Sequence, residues 1–132
     1  MGLVRRIKKF FARYNSIGRR AERAAARYLR KNKRMKILCL NYRHSHCEID
    51  IVCRDKFSDC LVFVEVKCRP LGAKVAGYYA ATSKRKTANL RKCARAFLRE
   101  NFAFCKTYRF DVVEVEHDGS GNFVNINHFE GF

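Results

Sequence analysis

One stretch constrains this chain more than any other: Leu61-Val62-Phe63-Val64-Glu65-Val66-Lys67. Its first four residues are apolar without alternation, the pattern of a strand covered on both faces. Such a strand belongs at the centre of a sheet with helices on either side. The run then ends on a carboxylate and an ammonium two residues apart, hence on one side of the strand. An ionised carboxylate is costly to desolvate unless a cation or a donor compensates it. Glu65 therefore needs a partner, whether Lys67, a metal ion or both.

The rest of the pattern places that strand. Ile17, Ala21, Ala25, Tyr28 and Leu29 mark the apolar side of a first helix over 16–32. Strands are expected over 35–42, 47–54 and 61–67, with Ile49, Ile51 and Cys53 sharing one face of the second. Pro70 and Gly72 break the pattern. Thr82 or Ser83 is a candidate cap for a second helix that reaches Asn101, with Leu90, Cys93, Ala94, Phe97 and Leu98 as its stripe. A fourth strand follows over 107–115, Gly119-Ser120-Gly121 turns the chain, and an edge-like strand covers 123–126. The result is an α/β chain with an α-β-β-β-α-β core, in which a central mixed sheet is flanked by helices. The helical crossover permits parallel pairing of the third and fourth strands.

With 132 residues the chain is one domain by default, and its 48% hydrophobic content excludes a disordered chain. Residues 1–15 are expected to be a basic N-terminal arm that frays and touches phosphates, ahead of one domain over 16–132. The arm lacks the apolar run of a secretory signal, although its arginines leave a mitochondrial presequence open. Arg6 argues against myristoylation at Gly2. No apolar stretch approaches the ~18 residues of a membrane span. The net charge of +17 is far beyond what solubility requires and predicts a polyanionic partner, nucleic acid before an anionic membrane surface. Seven cysteines, an odd number with no Cys-x-x-Cys pair, read as reduced core residues of a cytoplasmic protein. A zinc site from His44, His46, Cys47 and Cys53 is the rival reading, but His46 and Cys47 point to opposite faces of a strand.

The hairpin between the second and third strands has a register that the sequence suggests. If Asp55 pairs with Cys60, then Asp50 lies opposite Glu65 and Glu48 opposite Lys67. Opposed residues share a face about 4.5–5.5 Å apart, and a slip of one residue would separate them. Carboxylates that close repel, so a divalent cation is a natural reason for both to stay ionised. Magnesium suits the set, with manganese able to substitute, because it takes few protein carboxylates alongside waters and phosphate oxygens. Asp50 and Glu65 are the expected metal ligands, with the Val66 carbonyl as a third and Glu48 as a supporting carboxylate. Lys67 is placed to orient a water or to stabilise charge on phosphorus. Glu22 lies on the first helix's stripe with Gly18, Ala25, Ala26 and Leu29, which aims it at the strands. Lys84, Arg85 and Lys86 begin the second helix, where side chains and backbone amides both suit phosphates. Arg43 and Arg69 are further candidate nucleic-acid-binding residues. Arg109 and Asp111 read as a supporting pair at the sheet end.

These residues carry a resemblance. Gly18-Arg19-Arg20-Ala21-Glu22-Arg23-Ala24-Ala25, Asn41-Tyr42-Arg43, Glu48-Ile49-Asp50-Ile51, Val62 to Arg69, Lys84-Arg85 and Arg109-Phe110-Asp111-Val112-Val113 occur in the order of the YraN family (UPF0102), which the chain resembles. That family is similar to the PD-(D/E)XK nucleases. The resemblance implies a restriction-endonuclease-like fold and magnesium-dependent phosphodiester hydrolysis by Glu22, Asp50, Glu65 and Lys67, with DNA as the favoured substrate, branched or flapped DNA included. Cys47 replaces the family's usual glycine, and Cys68 its usual threonine or serine. The alternative is a non-catalytic nucleic-acid-binding protein that retains the fold.

Overall fold

The computed structural model describes residues 3–73, 84–101 and 107–131, with side chains described over 17–73, 87–101 and 107–131. In chain order the elements are α1 (Leu3–Asn32), β1 (Met35–His44), β2 (Cys47–Asp55), β3 (Cys60–Pro70), α2 (Lys84–Asn101), β4 (Thr107–His117) and β5 (Phe123–Glu130). The five strands form one mixed sheet in the order β1-β2-β3-β4-β5. β3 and β4 are parallel and the other neighbours antiparallel. This is the expected α/β architecture, and the crossover through α2 gives the parallel pair.

The two helices cover opposite faces. Ala21, Ala25 and Leu29 of α1 pack on Ile51, Cys53, Val62, Val64, Val113 and Val115. Leu90, Cys93, Ala94 and Phe97 of α2 pack on Val52, Leu61, Phe63 and Phe110. β3 is thus buried on both sides from Cys60 to Val64, as its unbroken apolar run requires. Ile49 does not join Ile51 and Cys53 but packs in the α2 cluster. The ladder to β3 ends at Ile51, and past it β2 is free to twist out of the common plane.

Several boundaries move outward from the expected ones. α1 is continuous from Leu3, so the backbone of the expected basic arm is helical from that residue on. Leu3, Ile7, Phe10 and Tyr14 recur at helical spacing and no proline interrupts them, which extends the helix toward the N-terminus. Arg30 and Lys31 in its last turn complement the negative end of the helix dipole, and Arg34, with φ of 51°, turns the chain into β1. β4 runs two residues further, to His117, and β5 continues to Glu130. Thr82 and Ser83, the expected helix cap, lie outside the described residues. No helix among the described residues is long and apolar enough to cross a membrane.

Candidate active site

The β2–β3 hairpin has the register read from the sequence over Ile51↔Val64, Val52↔Phe63, Cys53↔Val62 and Arg54↔Leu61. Extrapolated one step, it sets Asp50 against Glu65. The ladder stops short of that pair, and a side chain takes over from the backbone. The Val66 N–H donates to Asp50 Oδ2 at 2.7 Å. The strands therefore part at the point where the apolar run gives way to Glu65-Val66-Lys67.

A cleft of about 530 Å³ occupies this parting. Asp50 from β2, Glu65, Lys67 and Cys68 from β3, Glu22 from α1 and His117 from the end of β4 all line it. Ile17, Gly18, Ala21 and Val66 complete its walls. Glu22, Asp50, Glu65 and Lys67, expected from separate segments, thus share one cavity. The α1 stripe that buries Ala21 and Ala25 carries Glu22 to the edge of the core, as its spacing implied.

Charges in this cleft are unevenly matched. Lys67 Nζ lies 3.0 Å from Glu65 Oε1. Asp50 is in poorer surroundings. Burial pushes its carboxyl up from 3.8 to about 7; the Val66 amide opposes the rise, while Glu65, Glu22 and Glu48 reinforce it. Burial also raises the Glu22 carboxyl; a hydrogen bond from Asn41 opposes the shift, and Glu48 adds to it. These are carboxylates held together without enough positive charge among them.

Other expected residues are deployed differently. Glu48 is not opposite Lys67, because the β2–β3 ladder has ended. It pairs instead with Arg43 across the β1–β2 hairpin, Nε to Oε1 at 3.3 Å. Its field still reaches Glu22 and Asp50. Arg43 is an exposed rim residue engaged in that pair. Arg69 lies largely buried, 3.4 Å from Glu114 on β4, which makes it a bridge within the sheet. The side chains of Lys84, Arg85 and Lys86 lie outside the described set, although their backbone opens α2. The zinc candidates do not converge: Cys53 is buried beside Met35 in the α1 core, whereas His44 pairs with Glu100 and Cys47 donates to the His44 carbonyl. No three His, Cys, Asp or Glu side chains among the described residues form a group able to hold a metal ion.

Two site residues escaped the reading of single segments. Asn41 holds Glu22 while its backbone adopts φ of 53°, a left-handed conformation that asparagine tolerates better than most residues. Its place in the Asn41-Tyr42-Arg43 block was the one available signal. His117 was overlooked because the fourth strand was expected to end at Val115.

Comparisons with known proteins place the chain beside one family. The model of Uncharacterised protein family UPF0102 matches residues 21–115, from the start of the buried α1 stripe to the end of the β4 core. A UPF0102 protein of Pelotomaculum thermopropionicum is 39% identical over 114 residues, covering 86% of this chain and 92% of the relative. A second, from Carboxydothermus hydrogenoformans, is 35% identical over 109 residues, with coverage of 83% and 89%. A third, from Acetivibrio thermocellus, is 39% identical over 108 residues, with coverage of 80% and 78%.

Proposed function

Since this chain belongs to the UPF0102 family, we propose that its cleft hydrolyses phosphodiester bonds of DNA with the help of a divalent cation, magnesium first and manganese as a substitute. The observation that carries the reading is the state of Asp50. A carboxyl pushed up to about 7 inside a cluster of other carboxylates is short of positive charge, and a hard cation supplies it. The residues present fit such an ion. Magnesium is held by one or two carboxylates and keeps several waters, and Asp50 and Glu65 bring two carboxylates to one cleft.

Asp50 and Glu65 would hold the ion. Asp50 spends Oδ2 on the Val66 amide and would bind through Oδ1. The N–H and C=O of one strand residue point to the same side, so the Val66 carbonyl turns toward the opened edge of β2 and offers a neutral third ligand. Bound there, the cation would polarise the phosphate and lower the pKa of an attacking water. Lys67, fixed by Glu65, brings an ammonium to the phosphoryl oxygens and stabilises the charge they gain in the transition state. Glu22, with a raised carboxyl, takes up a proton more readily than a solvated glutamate and is suited to relieve the water of one.

The net charge of +17 supports a nucleic-acid partner. Binding should weaken by about 0.9 log units per log of salt for each phosphate neutralised. The test is a panel of plasmid, flapped, forked and four-way-junction DNA incubated with magnesium or manganese. Cleavage is expected from the natural protein and not from Asp50→Ala or Lys67→Ala. Cleavage that survives both substitutions belongs to a contaminant. Salt-sensitive binding with no cutting of any substrate would favour a non-catalytic nucleic-acid-binding protein, a reading that rests on basicity alone.

A further inference from the structure

His117 brings a second kind of chemistry to the cleft. It is the last residue of β4, set beside Pro70 by the parallel register, and its carbonyl accepts the Leu71 N–H at 2.8 Å. The ring therefore stands on a fixed strand end. Its Nδ1 accepts a hydrogen bond from the Gly119 N–H at 3.2 Å. An imidazole that accepts at Nδ1 is neutral and carries its proton on Nε2. Among the described residues Nε2 has no protein partner, so the ring offers one N–H donor at a wall of the cleft.

The turn that fixes this tautomer is itself firmly built. Asp118 Oδ1 accepts the amides of Ser120 at 2.8 Å and Asn122 at 3.2 Å, and Oδ2 accepts Asn122 Nδ2 at 3.1 Å. Gly119 has φ of 87°, a conformation that side chains rarely adopt. The turn is also tied to α1. Arg20 donates from Nη2 to the Gly121 carbonyl at 2.8 Å, and its guanidinium lies 5.2 Å from the Phe123 ring centroid. Arg20 is two residues from Glu22, so one connection sets His117 relative to the acids on the other wall.

We infer that His117 is a substrate-binding residue whose neutral Nε2–H donates to a non-bridging phosphate oxygen of a nucleic-acid backbone seated in this cleft. The inference rests on the phosphodiester reading of the site and adds a recognition contact that carries no charge. A donor on the wall of a cleft that carboxylates also line suits an acceptor that enters with its own countercharge, and a phosphate arriving beside a cation and Lys67 provides one.

The experiment separates this contact from catalysis. Affinity for uncut DNA is measured by fluorescence anisotropy with calcium in place of magnesium, across a salt series. KM and kcat are measured in parallel with magnesium. His117→Asn keeps an acceptor for the Gly119 amide and deletes the distal donor; His117→Gln retains a donor at the reach of Nε2. His117→Asn is expected to raise both Kd and KM by about tenfold or more, the size of a lost hydrogen bond to a charged group. His117→Gln is expected to stay within about threefold of the natural protein on the same scale. The slope of log Kd against log salt should be the same for all three, because a neutral ring displaces no counterion. Asparagine binding as tightly as histidine, glutamine binding no better than asparagine, or a reduced slope in both variants would overturn the inference. A wild-type protein that binds through His117 yet cuts nothing would remove the nuclease reading and leave the contact standing. Cutting with Kd and KM indifferent to His117 would do the reverse.

Discussion

Asp50 and Asp111 are two carboxylates on inner strands of one sheet, and the protein treats them in opposite ways. Asp111 is 0% exposed. Burial alone would raise its carboxyl, but His128, Arg109 and the Gly131 amide hold it below the usual carboxylate range. The contacts are close: His128 Nε2 at 2.8 Å, Arg109 Nε at 3.0 Å and Nη2 at 3.2 Å, and the Gly131 N–H at 3.1 Å. Asp50 receives one backbone amide and faces three glutamates. At one site the fold supplies the whole countercharge; at the other it withholds it. A carboxylate kept for structure is satisfied from within, whereas one left short of positive charge is fitted for something that comes from outside.

The sharpest way to break that contrast is to remove each charge in turn. Asp50→Asn should lower cleavage on the order of a thousandfold, the scale of a lost electrostatic contributor, without reducing folding stability. Activity assays beside urea melts check both halves. Asp111→Asn should do the opposite and destabilise the fold by about 3–5 kcal/mol, because the buried carboxylate shared by His128, Arg109 and the Gly131 amide is lost. An equal loss of stability from the two substitutions would erase the distinction.

A pH series sharpens the comparison further. The folded Asp50 carboxyl titrates about 7, above its ordinary value of 3.8, so the folded state holds a proton that the unfolded chain has released. Metal-free stability should therefore fall as pH rises from about 4 to about 7, by up to about 1.4 kcal/mol per unit of displacement before solvent screening. Asp50→Asn should flatten the slope, and saturating magnesium should reduce it. Asp111, with a depressed carboxyl, contributes stability that is complete above about 4 and lost on further acidification. Urea midpoints between pH 3 and pH 8 separate the two windows. The smallest effect belongs to Glu48→Gln. It breaks an exposed pair with Arg43 and should change stability by less than about 1 kcal/mol, while moving the titration of Asp50 downward by removing a neighbouring negative charge.

The residues that were legible in the sequence are those governed by local period. An unbroken apolar run announced β3 as central, and strand alternation put Glu65 and Lys67 on one side. The even loop after Asp55 gave the observed register. Helical spacing turned Glu22 inward. What escaped depends on where a period ends. Because the ladder opens at Asp50, Glu48 finds Arg43 on β1 and not Lys67 on β3. Because β4 and β5 run past their strongest alternation, His117 reaches the cleft and His128 meets Asp111 across the last hairpin. The pair read at the sheet end, Arg109 and Asp111, is therefore part of a larger buried cluster. Partners supplied by a distant strand end leave no local signature.

The most direct test is a carbon-13 NMR titration of the Asp50 carboxyl in the natural protein, without metal and then with saturating magnesium. The account predicts a midpoint about 7 in the metal-free protein and a fall to the ordinary carboxylate range or below once magnesium is present. A midpoint near 4 in both conditions would mean that Asp50 is as well satisfied as Asp111, and would contradict a cation site in this cleft.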